Sequence, residues 1–182
     1  MYKKSNATIE DLYLVPENGK AEIVNGALVI GEPTGAMPGR AGFNIAMSLR
    51  QMEGKLNGCA YPDNVGFIVD LPNRQSFSPD AAFHMGKDTG MKFLEGAPIF
   101  AAEVRSENDY GRSAEAEMAE KRKDYFAAGT LVVWDVDLLS EIVVRVYRAT
   151  NPGNPLIYRR GELAEAEPAV PGWRMPVEEL FL

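Results

Sequence analysis

Cysteine and histidine are nearly missing from this chain, with one of each in 182 residues. A lone cysteine, Cys59, excludes an intrachain disulfide and any cysteine-rich zinc site. With His84 the only histidine, a Cys–His protease arrangement has little to draw on. Positive charge is also short: 19 Lys and Arg against 26 Asp and Glu give a net charge of −7. That deficit argues against a protein that coats nucleic acid non-specifically, because such binding rests on cations neutralising phosphates. It leaves room for a nuclease, since acidic metal ligands add to the deficit and a local basic cleft can sit on an acidic whole. No apolar run approaches bilayer-spanning length, and Met1-Tyr2-Lys3-Lys4-Ser5 has no apolar leader stretch. Glycine-rich phosphate loops, nucleophile elbows, dinucleotide fingerprints and internal repeats are missing too. The expectation is a cytoplasmic protein with no membrane partner.

The pattern that is present reads as a single domain over residues 1–182, of mixed α/β (α+β) class with antiparallel hairpins at its edges. Residues 8–14 read as a short helix capped by Thr8, and 21–30 (AEIVNGALVI) as a hairpin turning at Asn25-Gly26. Residues 32–39 read as a loop. Residues 43–56 read as an amphipathic helix with Phe43, Ala46, Met47, Leu49 or Arg50, and Met52 on one face, closed by Gly58. Residues 65–71 and 80–84 read as the two strands of a hairpin through 73–75, and 98–105 as a central buried strand. Residues 113–128 are the clearest helix, stopped by Gly129. Residues 131–136 and 141–147 form another hairpin, with Trp134 and Tyr147 as core aromatics. A loop (151–155), a last strand (156–160) and a tail with a short helical end (171–182) complete the reading.

Three segments carry the chemistry: Ser78-Pro79-Asp80, Glu103-Val104-Arg105, and Glu117, Lys121 and Tyr125. Side chains alternate faces along a strand, so Ile99, Ala101, Glu103 and Arg105 share one face of 98–105. Glu103 therefore leaves a very apolar strand, where an unpaired carboxylate is expensive. It needs a metal, a cation or a proton. Two readings stand side by side: a structural ion pair with Arg105 or a nearby lysine, and a metal site shared with Asp80. Converging carboxylates can hold Mg²⁺ or Mn²⁺, because hard cations take oxygen ligands. Asp80 taken alone is a turn residue at the start of a strand. His84, two residues past Ala82 on the same face, reads as a solvated or hydrogen-bonded histidine. Glu117, Lys121 and Tyr125 recur at i, i+4, i+8 and form one helix stripe. Alone it is a surface Glu–Lys pair. Set after the Glu103 strand, it borders the sheet edge, where a lysine can stabilise charge on a phosphate.

At these residues the chain resembles the Uma2 family (DUF820), a branch of the PD-(D/E)XK nuclease superfamily, over nearly its whole length. Ala21-Glu22-Ile23-Val24-Asn25-Gly26 is similar to the family's "yELidGel", and Ser78-Pro79-Asp80-Ala81-Ala82-Phe83 to its "PDvaf". Glu103-Val104-Arg105-Ser106 resembles "EVlS", and Lys121 with Tyr125 and Ala128-Gly129 resembles "K…Y..aG". Val133-Trp134-Asp135-Val136-Asp137 resembles "YWlvD", and Pro171-Gly172-Trp173 with Glu178-Glu179-Leu180-Phe181 resembles the "PGf…elF" close. The resemblance implies a restriction-endonuclease-like core, a mixed sheet flanked by helices. It implies Asp80 and Glu103 as ligands of Mg²⁺ or Mn²⁺, and Lys121 as the catalytic lysine in place of the strand position held by Arg105. Glu22 is implied as an accessory acid, with Glu117 where the family often carries aspartate. One departure is that the family often has a histidine near the start of the first long helix, while Pro38-Gly39-Arg40-Ala41-Gly42-Phe43 has none.

The expected function is a metal-dependent endonuclease hydrolysing phosphodiester bonds in DNA, acting as a homodimer by analogy with related nucleases. The alternative is a catalytically inactive nuclease-like module that binds protein or nucleic acid. A third is a hydrolase of a phosphorylated small molecule with the same metal logic.

Overall fold

The structure, a computed structural model, describes residues 3–16 and 19–182. Met1 and Tyr2 of the N-terminal segment read above, with Glu17 and Asn18, lie outside the described residues. The chain opens with β1 (Lys3–Ser5) and α1 (Ile9–Tyr13), where the Thr8 backbone amide donates to Asp11. The hairpin β2 (Ala21–Val24) and β3 (Ala27–Ile30) follows as expected. Asn25 and Gly26 turn it at φ 49° and 68°, the left-handed region these two residues tolerate best.

The first long helix, α2 (Ala36–Leu49), begins well before the expected position, inside the segment read as a loop. Pro38 falls in its first turn, where a missing N–H costs no helical bond. Its buried face is Ala41, Gly42, Ile45, Ala46, Ser48 and Leu49; of the expected apolar face Ala46, Leu49 and Met52 are buried, while Phe43 and Met47 are exposed. Gly42 explains the difference: a Cβ there would meet the Asp80 carbonyl oxygen at 3.0 Å, so the helix uses this glycine to reach the sheet. A 3₁₀ turn and α3 (Glu53–Leu56) complete this stretch, and Asn57 at φ 49°, rather than Gly58, takes the left-handed closing position.

Next come β4 (Cys59–Pro62), β5 (Phe67–Ile68), β6 (Ser76–Phe77), β7 (Ala81–His84), β8 (Leu94–Glu95) and β9 (Phe100–Val104). Then come α4 (Arg112–Ala127), β10 (Val132–Val136), β11 (Val144–Arg148), β12 (Asn151–Tyr158), β13 (Leu163–Glu165) and β14 (Arg174–Pro176). The main sheet has six strands in the order β12-β11-β10-β9-β7-β4. Among the described strands of this sheet only β9 and β10 are parallel, and α4 is their crossover. The expected hairpin of residues 65–71 with 80–84 does not form: β5 pairs with β6 and β8, while β7 leaves for the main sheet between β9 and β4. Ala81 and Ala82 are small enough to be buried on both faces there. The segment read as a loop at 151–155 is the first part of β12, an edge strand, where prolines are tolerated.

Alternation on β9 divides the core. Phe100, Ala102 and Val104 pack with α2, Trp134, Trp173 and the C-terminal turn. Ala101 packs on the other face with Ala82, Val133, Phe77 and Tyr125 of α4. Trp134 is fully buried, whereas Tyr147 is half-buried beneath the Arg122 guanidinium. The small sheets β1-β3-β2 and β6-β5-β8 lean on the α4 side, joined where Gln75 N donates to Ile23 O and Ile23 N to Ser76 Oγ. Among the described residues no helix is long and apolar enough to cross a membrane.

Candidate functional site

Glu103 lies near the C-terminal end of β9, on the face covered by α4. Ala81 pairs with Ala102, so the same register carried one step further sets Asp80 opposite Glu103, and Asp80 N donates to Ala102 O. On the other side Glu103 pairs in parallel with Asp135. Three carboxylates thus form a row across three strands at the C-terminal end of the parallel pair, the end where open α/β sheets place ligands.

Asp135 is already committed. Arg105 donates to both its oxygens at 2.8 Å and also grips Glu115, while Arg122 approaches at 3.5 Å. Arg105 is therefore not the partner of Glu103, although it shares its strand face. It serves the neighbouring strand, and its charge is locked in by Asp135 first and Glu115 next. Glu117 also stays outside. It is exposed and accepts from Ser113 Oγ at 3.2 Å. Each four-residue step on a helix turns the side chain by about 40°, so a stripe that points at the sheet at Tyr125 has rotated away by Glu117.

Lys121, Tyr125 and Glu22 do converge on Glu103. Lys121 Nζ sits 2.9 Å from Glu103 Oε1 and 3.0 Å from Glu22 Oε1. Tyr125 OH donates to Glu103 Oε1 at 2.6 Å, with its ring stacked on Phe77 at 3.9 Å. Glu22 accepts from Ser78 N at 2.8 Å and from Arg74 Nη1 at 2.6 Å. Arg74 holds the buried Asp124 of α4 through its Nε at 2.8 Å. Beyond Asp80 stands Lys20, 2.5 Å from Asp80 Oδ1 and 2.7 Å from Asp63 Oδ1, while Val104 N donates to Asp80 Oδ2 at 2.7 Å.

Lys20, Asp63, Arg74 and Asp124 were not singled out in the sequence. Lys20 left a signal, because it precedes Glu22 by two residues and strand alternation puts both on one face. Arg74 left none: it lies in a turn, and its partners are 50 and 52 residues away. His84 is not solvated. It is buried against Phe67, and neither ring nitrogen has a partner among the described residues. Burial lowers its pKa, against a weaker opposing pull from the Ala97 backbone.

The electrostatics follow from a simple imbalance. Five carboxylates (Glu22, Asp63, Asp80, Glu103, Asp124) face three cations (Lys20, Arg74, Lys121), a surplus of two negative charges when all are ionised. Glu103 bears it most. Burial raises its pKa, and Asp80 and Glu22 add to the rise against the lysines. In Glu22 burial pulls upward, but Lys121 and Arg74 win and hold it below the usual carboxylate range. Burial works against the charge on Lys121, yet Glu103 and Glu22 outweigh it and raise its pKa; Asp80 and Glu103 do the same for Lys20. Tyr125 is pushed well above its ordinary value by burial and then by Glu103, so it stays a donor.

Two carboxylates on adjacent strands are the donors a hard divalent cation takes, and Mg²⁺ is commonly held by one or two carboxylates with water completing its shell. The double negative surplus fits the same ion. Among the described residues no three His, Cys, Asp or Glu side chains form a ready-made metal cage, so a closed zinc-type centre does not fit.

Mixed sheet, parallel-strand crossover helix and an acidic pair faced by a lysine define a protein of the restriction-endonuclease-like class. The chain belongs to the Uma2 family, described as "putative restriction endonuclease", whose model matches residues 7–178. The crystal structure of a "putative nuclease belonging to DUF820" from Anabaena variabilis ATCC 29413 is similar, with a TM-score of 0.72 at 15% sequence identity. That match covers 96% of this chain and 97% of the other. No curated protein matches the chain.

Proposed function

We propose that the chain is a divalent-cation-dependent nuclease acting on DNA, with the site formed by Glu22, Asp80, Glu103 and Lys121. The observation that carries this reading is the surplus of two negative charges around Asp80 and Glu103 at the end of the parallel strands, with Lys121 held against it. Asp80 and Glu103 would hold Mg²⁺ or Mn²⁺. Such an ion supplies Lewis-acid polarisation of a phosphate and acidifies a bound water. Lys121 stabilises negative charge developing on the scissile phosphate. Glu22 and Tyr125 fix the direction of Lys121 and Glu103, and Arg74 fixes Glu22. Cutting both strands of a duplex takes two such sites, which a homodimer supplies.

The test is cleavage of linear, supercoiled and single-stranded DNA with Mg²⁺ or Mn²⁺, by the wild type and by Asp80→Asn, Glu103→Gln and Lys121→Met. Cleavage by the wild type alone supports the reading; cleavage that survives Asp80→Asn and Glu103→Gln overturns it. One observation favours a non-catalytic binding module: Asp80 and Glu103 each already have a lysine partner, Lys20 and Lys121. On that reading neither Mg²⁺ nor Mn²⁺ raises the melting temperature.

A further inference from the structure

Lys20 is the cation of the site that the family resemblance does not account for, and its position is unlike that of Lys121. Asp80 has both oxygens engaged: Oδ2 accepts from the Val104 amide at 2.7 Å and Oδ1 faces Lys20 Nζ at 2.5 Å. The amide belongs to β9 and cannot leave without opening the sheet. The ammonium sits on a flexible four-carbon stem and has a second carboxylate at hand, Asp63 Oδ1 at 2.7 Å. Asp63 is more exposed than Asp80, 35% against 16%, so the outward position is also the wetter one. Lys121 has no such choice, because both its partners, Glu22 and Glu103, belong to the site itself.

An ammonium and a divalent cation against the same carboxylate oxygen repel each other strongly in a half-buried site. We infer that Lys20 occupies the cation position on Asp80, and that a divalent cation enters by displacing this ammonium onto Asp63. The inference rests on the metal-dependent reading above and adds a residue to it. Lys20 sets how tightly the site takes its ion, and Asp63 is where Lys20 waits. No covalent bond changes; one cation exchanges for another.

The experiment is calorimetric titration of Mn²⁺ into the wild type, Lys20→Met, Lys20→Gln, Lys20→Arg, Asp63→Asn, Lys20→Met/Asp63→Asn and Asp80→Asn, each checked for folding by circular dichroism. Removing one competing ion pair should tighten Mn²⁺ binding by about tenfold in Lys20→Met and in Lys20→Gln. Lys20→Arg, whose guanidinium grips a carboxylate more firmly, should weaken it. Asp63→Asn should weaken it in the wild-type background and change nothing in the Lys20→Met background. A purely structural Lys20 predicts the opposite sign, because its loss would misplace Asp80. Unchanged or weaker binding in both Lys20→Met and Lys20→Gln, with wild-type binding abolished by Asp80→Asn, overturns the Lys20 inference and leaves the metal site standing. Weakening by Asp63→Asn in the Lys20→Met background overturns the waiting role. If neither the wild type nor the Lys20 variants bind Mn²⁺, the metal-dependent reading falls and this inference with it.

Discussion

Single side chains divide into those that hold the site and those that act in it. Arg74 is of the first kind. It is 7% exposed and joins Glu22 of β2 to Asp124 of α4. Arg74→Ala would leave the nearly buried Asp124 without its cation and Glu22 with Lys121 alone, and should cost about 3–5 kcal/mol of stability in urea unfolding. On the proposed reading Lys121 is of the second kind. Lys121→Met should lower cleavage by about a hundredfold or more, because the phosphate charge loses its partner, and should also cost some stability, because Glu22 and Glu103 lose theirs. His84 gives the pH dependence. Its pKa in the fold lies below the ordinary value, so the unfolded chain takes up its proton first as pH falls. Its contribution is full above the ordinary histidine value and is lost as pH drops below it, with a slope of at most about 1.4 kcal/mol per pH unit. His84→Phe should flatten the melting-temperature profile between neutral and mildly acidic pH. At this scale Asp80, Glu103, Lys121, Tyr125 and Glu22 were legible in the sequence, since strand and helix periods and the family motifs mark them. Arg74 was not, because its partners lie far along the chain, and Lys20 showed only by its two-residue spacing from Glu22.

Elements turn those side chains toward one another, and the close approach of α2 to the start of β7 is the tightest constraint. Gly42 lies against the Asp80 backbone and Cβ, so any side chain there must push either the helix or Asp80 itself. Gly42→Ala should destabilise by about 1–3 kcal/mol and, by shifting Asp80, weaken Mn²⁺ binding; unfolding and calorimetric titration read the two effects separately. The position also shows why the helix was misread from the sequence. Glycine and proline between residues 35 and 42 read as loop, yet Pro38 is harmless in a first turn and Gly42 is needed for packing. The strand β7 was found, but its pairing was misread for a related reason. Local spacing favours a hairpin with the preceding strand, and only the small, doubly buried Ala81 and Ala82 suit the centre of the main sheet. By contrast α4 and β9 needed no outside information, because a sixteen-residue stretch dominated by strong helix formers and an apolar run broken only by Glu103 decide themselves.

For the whole molecule, the net charge of −7 and the negative site set the terms of any encounter with DNA. A phosphate approaching Asp80 and Glu103 meets a surplus of two negative charges, and the nearest lysines are already paired with carboxylates. Coulomb repulsion of that kind is long-ranged at low salt and weakest at high salt. A protein that binds DNA through a basic surface loses affinity as salt rises, because it releases counterions. This chain should show a much shallower salt dependence, and in chelator-treated buffer it should bind DNA poorly at any ionic strength. Occupation of the site by a divalent cation removes the surplus, so Mn²⁺ should raise DNA affinity by at least tenfold, the equivalent of about 1.4 kcal/mol. The same ion should stabilise the fold, by about 2.7 kcal/mol at a hundred times its dissociation constant. Fluorescence anisotropy with a short duplex, using Lys121→Met, which keeps both proposed metal ligands, to suppress cleavage and the wild type at low temperature as its control, measures the first effect; thermal melting measures the second. Glu103→Gln removes one negative charge, so its metal-free affinity for DNA should exceed that of the wild type. Equal affinities with and without metal, in the wild type and Lys121→Met alike, would place the DNA contact elsewhere on the surface and leave the acidic cluster as a structural one.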